Sequence, residues 1–186
     1  MKFTSRDWLY VTGKAYSGKS TWIREHIKQV PEDRLYIFDY TNEDYKDWIP
    51  GKAQVYQATT GSMEEIEAFL TVAYNRGNCT VVLSESDNYL RYNSPVLRQF
   101  VTTGRNRGIN AIVDGKRPVS VPPSYRGRFN YLVLFQTTLG EDIKYLEEWA
   151  GLEKGRLEIL RELDLGEHII INLDKQEISS TKKLKI

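Results

Sequence analysis

Short runs of apolar, β-branched and aromatic residues recur along the chain at Trp8–Val11, Leu35–Phe38, Thr80–Leu83, Ala111–Val113, Leu132–Phe135 and Ile169–Ile171. Their length and composition predict strands. Most of the intervals carry apolar residues at helical spacing. The first predicted helix is Lys19–Val30, with Trp22, Ile23, Ile27 and Val30 on one side and Pro31 as its stop. The others are Ser62–Arg76, Pro95–Thr103, Asp142–Ala150 and Lys154–Leu160. This alternation predicts an α/β domain built on a largely parallel sheet. The proline-rich stretch 118–123, followed by Arg126 and Arg128, reads as an exposed loop, and the end of the chain, from about residue 179 to 186, as a basic, frayed tail.

Composition narrows the class. A chain of 186 residues, 40% hydrophobic and 12% aromatic, can bury one full core and is too short for two ordinary domains, so residues 1–186 are expected to form a single domain. No apolar run reaches the roughly 18 residues of a membrane span, and the polar start lacks a signal-peptide core, which predicts a cytoplasmic protein without a transmembrane segment. The single Cys79 has no partner for an internal disulfide and reads as a small core residue. A net charge of +1 neither supports nor excludes nucleic acid, because basic groups can still gather on one face. His26 and His168 stand alone and read as structural.

The candidate chemistry begins directly after the first predicted strand. Gly13-Lys14-Ala15-Tyr16-Ser17-Gly18-Lys19-Ser20 fits the phosphate-binding pattern G-x-x-x-x-G-K-[ST], with a strand before it and a helix opening after it. Glycines at 13 and 18 let backbone N–H groups turn inward around a phosphate, at the positive end of the helix that follows. Lys19 is expected on the β- and γ-phosphates, Ser20 on Mg²⁺, and Thr21 on a neighbouring phosphate oxygen, which makes ATP with Mg²⁺ the expected ligand pair.

In an open parallel sheet, ligands bind beyond the carboxyl ends of the strands. That rule selects Asp39, Ser84-Glu85, Lys116-Arg117 and Gln136, each just after an apolar run. Glu85 ends the run Thr80–Leu83 and is the candidate general base for a water attacking the γ-phosphate. An Asp is usual one residue earlier in phosphate-loop enzymes, and Ser84 stands there instead. Ser84 is a weak magnesium ligand, so Asp87 or Asp39 are the candidates to supply the missing charge.

The segment Gly104-Arg105-Asn106-Arg107-Gly108-Ile109, followed at the matching interval by Arg117-Pro118, resembles the G-R-x-x-G-[IV] and Q-R-P motifs of the FtsK–HerA superfamily of DNA-pumping ATPases. The resemblance covers about residues 7 to 140 and looks most like the small genome-packaging ATPases of membrane-containing icosahedral viruses. It implies a P-loop NTPase fold of the RecA/ASCE kind, a mainly parallel sheet with helices on both faces. It also implies a homo-oligomeric ring, usually a hexamer, in which a neighbour's arginine reaches the γ-phosphate. Arg105 matches that arginine, with Arg107 and Arg117 as further candidates. A guanidinium suits the task because it stays charged and can bond two phosphate oxygens. The chain departs from the pattern at the sensor position, where Lys116 replaces Gln and cannot accept a hydrogen bond from water.

The function expected from this resemblance is an ATP-driven motor that moves double-stranded DNA without reading its sequence, packaging a viral genome into a preformed capsid. Arg126 and Arg128 are the expected DNA contacts. A capsid or membrane-vertex protein is the expected anchor, and the host cytoplasm and the virion the expected locations. Two other classes stay open on the residues alone: a small nucleoside or nucleotide kinase, and a nucleotide-binding assembly protein that does not hydrolyse.

Overall fold

Successive residues of a strand face opposite sides of its sheet, and in the central strands of this chain both sides are apolar. The computed structural model describes residues 6–45, 53–92 and 94–181. Its strands are β1 (Trp8–Thr12), β2 (Leu35–Asp39), β3 (Gln54–Gln57), β4 (Thr80–Leu83), β5 (Asn110–Gly115), β6 (Tyr131–Leu134), β7 (Ile169–Asn172) and β8 (Glu177–Ser180). Its helices are α1 (Lys19–Ile27), α2 (Met63–Arg76), α3 (Pro95–Thr103), the short α4 (Pro123–Arg126) and α5 (Gly140–Ala150). One eight-stranded sheet runs in the order β3-β2-β4-β5-β1-β6-β7-β8. All pairs from β3 to β6 are parallel, and β7 and β8 add an antiparallel edge.

Trp8 and Tyr10 of β1 point to the face covered by α2, α3 and α5, where they pack with Phe69, Phe100 and Leu146. Leu9 and Val11 point to the other face, where α1 lays down Trp22, Ile23 and Ile27. The expected α/β fold with helices on both faces is therefore the observed one. Ser62 and Ser94 cap α2 and α3 by accepting from Glu65 N at 3.4 Å and Leu97 N at 3.2 Å, each satisfying an otherwise orphaned helix donor.

Four elements differ from the sequence reading. β3 and β8 are edge strands with mostly exposed residues, so neither carries the buried apolar run that marks a strand. The helix expected at Lys154–Leu160 is instead a series of turns followed by a 3-10 turn, Glu158–Glu162, because Gly155 adopts φ +88° and leaves the helical region. The stretch 118–123 is not an exposed loop. Val121 is fully buried, the Ser120 hydroxyl donates to Asp87 at 2.6 Å, and the Tyr145 hydroxyl donates to the Val121 carbonyl. Of the expected tail, Ser179 and Ser180 belong to β8, paired with Ile170 and Ile169, and residues 182–186 lie outside the described residues.

Candidate nucleotide site

β1 sits in the middle of the sheet between β5 and β6, so the loop that leaves its carboxyl end is bracketed by the ends of both neighbours. Lys14 N donates to the Gln136 carbonyl at 2.8 Å, and Gly166 N donates to the Ser17 carbonyl at 3.0 Å, which fixes the loop at its start and near its end. Gly13 is required here. It has φ +151°, and a Cβ on it would come within 2.6 Å of Phe135 Cβ. Gly18 has φ +104° and stands directly before α1, so the loop delivers its last residues to the positive end of that helix.

Ala15, Tyr16, Ser17, Gly18, Lys19, Ser20 and Thr21 line a cleft of about 500 Å³, while Gly13 and Lys14 shape the turn behind it. Tyr16 is fully exposed at the tip of the loop, in a left-handed conformation with φ +59°. Lys19 is buried and folds back on the loop, donating to the carbonyls of Gly13 at 3.0 Å and Lys14 at 3.1 Å. These are bonds that phosphate oxygens can replace without moving the backbone. Ser20 Oγ donates to Asp44 Oδ1 at 2.9 Å.

Glu85 reaches the same cleft from β4, which lies beyond β5 as seen from β1. Its backbone turns left-handed at φ +49° directly after the strand, and its carboxylate pairs with Lys116 Nζ at 2.8 Å. That hydrogen bond to Glu85 raises the Lys116 ammonium above its ordinary pKa. Asp114, near the end of β5, completes the wall. It is 2% exposed, and its Oδ1 is buried without a hydrogen-bond partner. Burial pushes the Asp114 carboxyl up to about 7, with Lys19 partly opposing and Glu85, Asp44 and Asp87 adding to the rise.

The structure disperses the other candidates. Ser84 turns toward β2 and accepts from Tyr40 N at 2.9 Å, and Asp39 accepts from Tyr45 N at 3.0 Å, which ties down the loop that carries Asp44. Asp87 accepts from the backbone of Lys116 and Arg117 and from Ser120, so it shapes the chain after β5. Arg117 pairs with Asp142 at 2.9 Å and Glu141 at 3.2 Å, at the start of α5. Arg105 lies in the turn before β5, at the opposite end of the sheet from the cleft, and donates to the carbonyl of Arg128 and to Asn130 Oδ1. Arg107 donates to the carbonyls of Tyr74 and Asn75. Arg126 lies 3.6 Å over the Tyr145 ring and donates to its hydroxyl, whereas Arg128 is exposed and shares a surface hollow with Arg91 and Arg98. His26 stacks on Trp22, whose indole N–H donates to His168 at 3.2 Å.

Five residues lining the cleft escape the sequence reading, Arg24, Thr41, Glu43, Asp44 and Asp114, and the last two bear on a metal. Asp114 carries the signal that selects its neighbours, a polar residue directly after an apolar run, but Lys116-Arg117 reads as the strand's end and the strand itself runs on to Gly115. Asp44 has no such signal, because only the turn held by Asp39 brings it to Ser20. Carboxylate oxygens of Asp44, Glu85 and Asp114 lie within 4.8 Å of one another, and with Ser20 Oγ they form an all-oxygen donor set of the kind Mg²⁺ takes. The buried, unpartnered oxygen of Asp114 is a donor awaiting such a ligand, so these residues fit the ion.

No family model and no curated protein matches the sequence. Solved structures do. The genome-packaging NTPase B204 of Sulfolobus turreted icosahedral virus 2, in complex with ATP-γS, superposes with a TM-score of 0.78 at 15% identity, covering 98% of this chain and 100% of that one. The fold is that of a P-loop NTPase. The cytoplasmic domain of the type VII secretion ATPase EccC of Thermomonospora curvata follows with a TM-score of 0.68 at 10% identity, covering 100% of this chain and 24% of that one. ATPases 2 and 3 of EssC from Geobacillus thermodenitrificans give 0.63 at 13% identity, covering 95% of this chain and 39% of that one. A packaging NTPase, a secretion ATPase and the ATPases of EssC are thus among the solved structures that share this P-loop NTPase fold. Among the described residues no helix is long and apolar enough to cross a membrane.

The metal-free site has a measurable signature. A carboxyl whose pKa is raised in the folded state contributes stability that is complete below its unfolded pKa, near 4, and lost as pH rises through the folded value of about 7. Without divalent cation, the melting temperature should therefore fall between about pH 4 and about pH 7 and level off above that. Asp114→Asn should flatten that fall and melt at least about 4 °C above the parent at pH 8, since each tenfold change in proton affinity is worth about 1.4 kcal/mol. Parallel pH profiles for the two proteins would remove Asp114 as the source.

Proposed function

We propose that this chain is an ATP-hydrolysing motor that translocates double-stranded DNA, and that its task is packaging a viral genome into a preformed capsid. One observation carries the hydrolytic part: Glu85, two residues beyond the end of a strand separated from β1 by β5, converges with Lys19 and Ser20 on a single cleft at the carboxyl ends of the parallel strands. A carboxylate placed there can take a proton from water attacking a γ-phosphate held by the loop. Lys19 exchanges its bonds to Gly13 and Lys14 for phosphate oxygens as the nucleotide enters. Mg²⁺, when bound with the nucleotide, neutralises charge on the phosphate oxygens. Lys116 holds the Glu85 carboxylate at the mouth of the cleft and couples its position to the arriving γ-phosphate.

Arg105 cannot serve its own cleft from the far end of the sheet, so its part in hydrolysis is to reach a neighbour's nucleotide in a ring, most simply a hexamer. Its bonds to Arg128 and Asn130 mean that Arg105→Ala alone mixes local damage with lost chemistry. Mixing subunits separates the two. In a ring of Arg105→Ala and Glu85→Gln chains, some clefts draw an intact Glu85 from one chain and an intact Arg105 from the next. Phosphate release should return to a measurable fraction of the parent's, and no recovery at any ratio would exclude the trans role.

The motor part is supported by the packaging NTPase among the fold neighbours and by the basic hollow of Arg91, Arg98 and Arg128. Phosphate contacts of this kind grip DNA without reading its sequence and weaken as salt rises. Arg128 is the better DNA candidate of the expected pair, since Arg126 is held against Tyr145. Arg128→Ala should reduce DNA-stimulated turnover and its salt dependence while leaving turnover without DNA unchanged. Equal loss in both conditions would remove Arg128 from the DNA path.

A further inference from the structure

The acidic group that phosphate-loop enzymes carry on the strand of Glu85 is missing from that strand, and the structure shows an acid in its place one strand nearer the loop. In the register of β1 with β5, Asp114 stands directly opposite Val11, two residues before Gly13. Alternation along β5 puts Asp114 on the side of Ile112, the face covered by α1, whose first turn presents Ser20. Its Oδ1 is fully enclosed and has no partner, an arrangement that costs free energy unless a ligand supplies the missing interaction. Of the three acids whose oxygens cluster in the cleft, the other two are occupied. Glu85 is paired with Lys116, and Asp44 receives the Ser20 hydroxyl.

We infer that Asp114 is the acidic ligand of the nucleotide's Mg²⁺, taking over on β5 the task that Ser84 leaves undone on β4, with Ser20 as the second protein ligand and Asp44 as a positioning residue. Ser20 donates its proton to Asp44, which aims the hydroxyl's lone pairs into the cleft and makes the oxygen a better ligand. Ser84 cannot do the same. Its oxygen is bound to Tyr40 N at the end of β2, on the side away from β5. Asp87, the other sequence candidate, is consumed by Lys116, Arg117 and Ser120. The transfer explains why Ser84 is tolerated: β5 lies between β4 and β1, so an acid on β5 approaches the magnesium position from a strand adjacent to the loop.

This inference rests on the nucleotide reading of the cleft, and its test is a binding measurement rather than turnover. Calorimetry with a non-hydrolysable ATP analogue, with and without Mg²⁺, gives the gain in affinity that the ion confers. Asp114→Asn should bind the Mg²⁺-free analogue at least as tightly as the parent, because it removes a negative charge that faces Lys19 and the phosphates, and should lose about tenfold to a hundredfold of the Mg²⁺-dependent gain. Ser84→Ala and Asp87→Asn should keep that gain. Binding of Mn²⁺ with the analogue, followed by electron paramagnetic resonance, reads the same ligand set directly and should lose its bound-ion signal in Asp114→Asn only. An Asp114→Asn chain with the parent's full Mg²⁺ gain, or a loss that appears in Ser84→Ala or Asp87→Asn instead, would overturn the assignment. Failure of the parent to bind the analogue even without Mg²⁺ would overturn the nucleotide reading as well, so the two failures are distinguishable.

Discussion

Replacing Lys19 with alanine should lower ATP turnover by about a thousandfold or more and leave the folded chain intact. The ammonium's present partners are the carbonyls of Gly13 and Lys14, both within the loop and both able to turn to water or to a neighbouring N–H. Its contribution therefore appears only when phosphate oxygens fill the cleft and charge develops on them, where loss of one electrostatic stabiliser costs roughly 10²–10³ in kcat and loss of a full charge more. Phosphate release and thermal melting, measured side by side, check both halves. A variant with full turnover would remove the loop from the catalytic account, and one that no longer melts cooperatively would show that Lys19 is needed for the fold.

Glu85→Gln should lower kcat by about 10²–10⁴ while nucleotide affinity stays within a few-fold of the parent's. The amide keeps the shape and can still accept from Lys116, so the change isolates the carboxylate's ability to take a proton from water. Loss of affinity in step with kcat would instead place Glu85 among the ligand-holding residues. Lys116 provides a cross-check, because its pair with Glu85 draws that carboxylate to one side of the cleft. A lysine at this position acts as a point charge, so its influence on Glu85 should weaken as salt rises.

The phosphate loop and the central strands are legible in the sequence because both leave local marks. G-x-x-x-x-G-K-[ST] is a pattern of adjacent residues, and Trp8–Val11 or Ala111–Val113 is apolar throughout because each strand is buried on both faces. Edge strands leave no such mark. Gln54–Gln57 carries no buried apolar run, and its pairing with β2 is what makes it a strand. Cleft residues divide along the same line. Glu85 and the loop announce themselves by position after a strand, whereas Asp44 depends on a turn folded back onto Asp39, a contact no linear pattern encodes. Asp114 is the instructive case, since it stands in plain sight after an apolar run. It escapes notice because the expected acid belongs one strand away, and chain order does not reveal that β5 is inserted between β4 and β1.

The G-R-x-x-G segment shows the complementary limit. Arg105 and Lys116 are 11 residues apart in the chain, yet they stand at opposite ends of β5, so a motif read as one unit serves two different ends of the sheet. From the far end Arg105 ties the turn before β5 to Arg128 and Asn130, and it could meet a nucleotide only in the cleft of a neighbouring chain, which is why the proposed motor is a ring.

Steady-state phosphate release from ATP by the purified chain, with and without linear double-stranded DNA, at low salt where phosphate contacts are strongest, separates a DNA motor from a kinase or a non-hydrolysing binder. Free phosphate is the expected product, at a rate that rises with DNA and falls back as salt is added. Transfer of the γ-phosphoryl group to a nucleoside or nucleotide acceptor, or no phosphate release at any DNA concentration, would contradict the proposed motor.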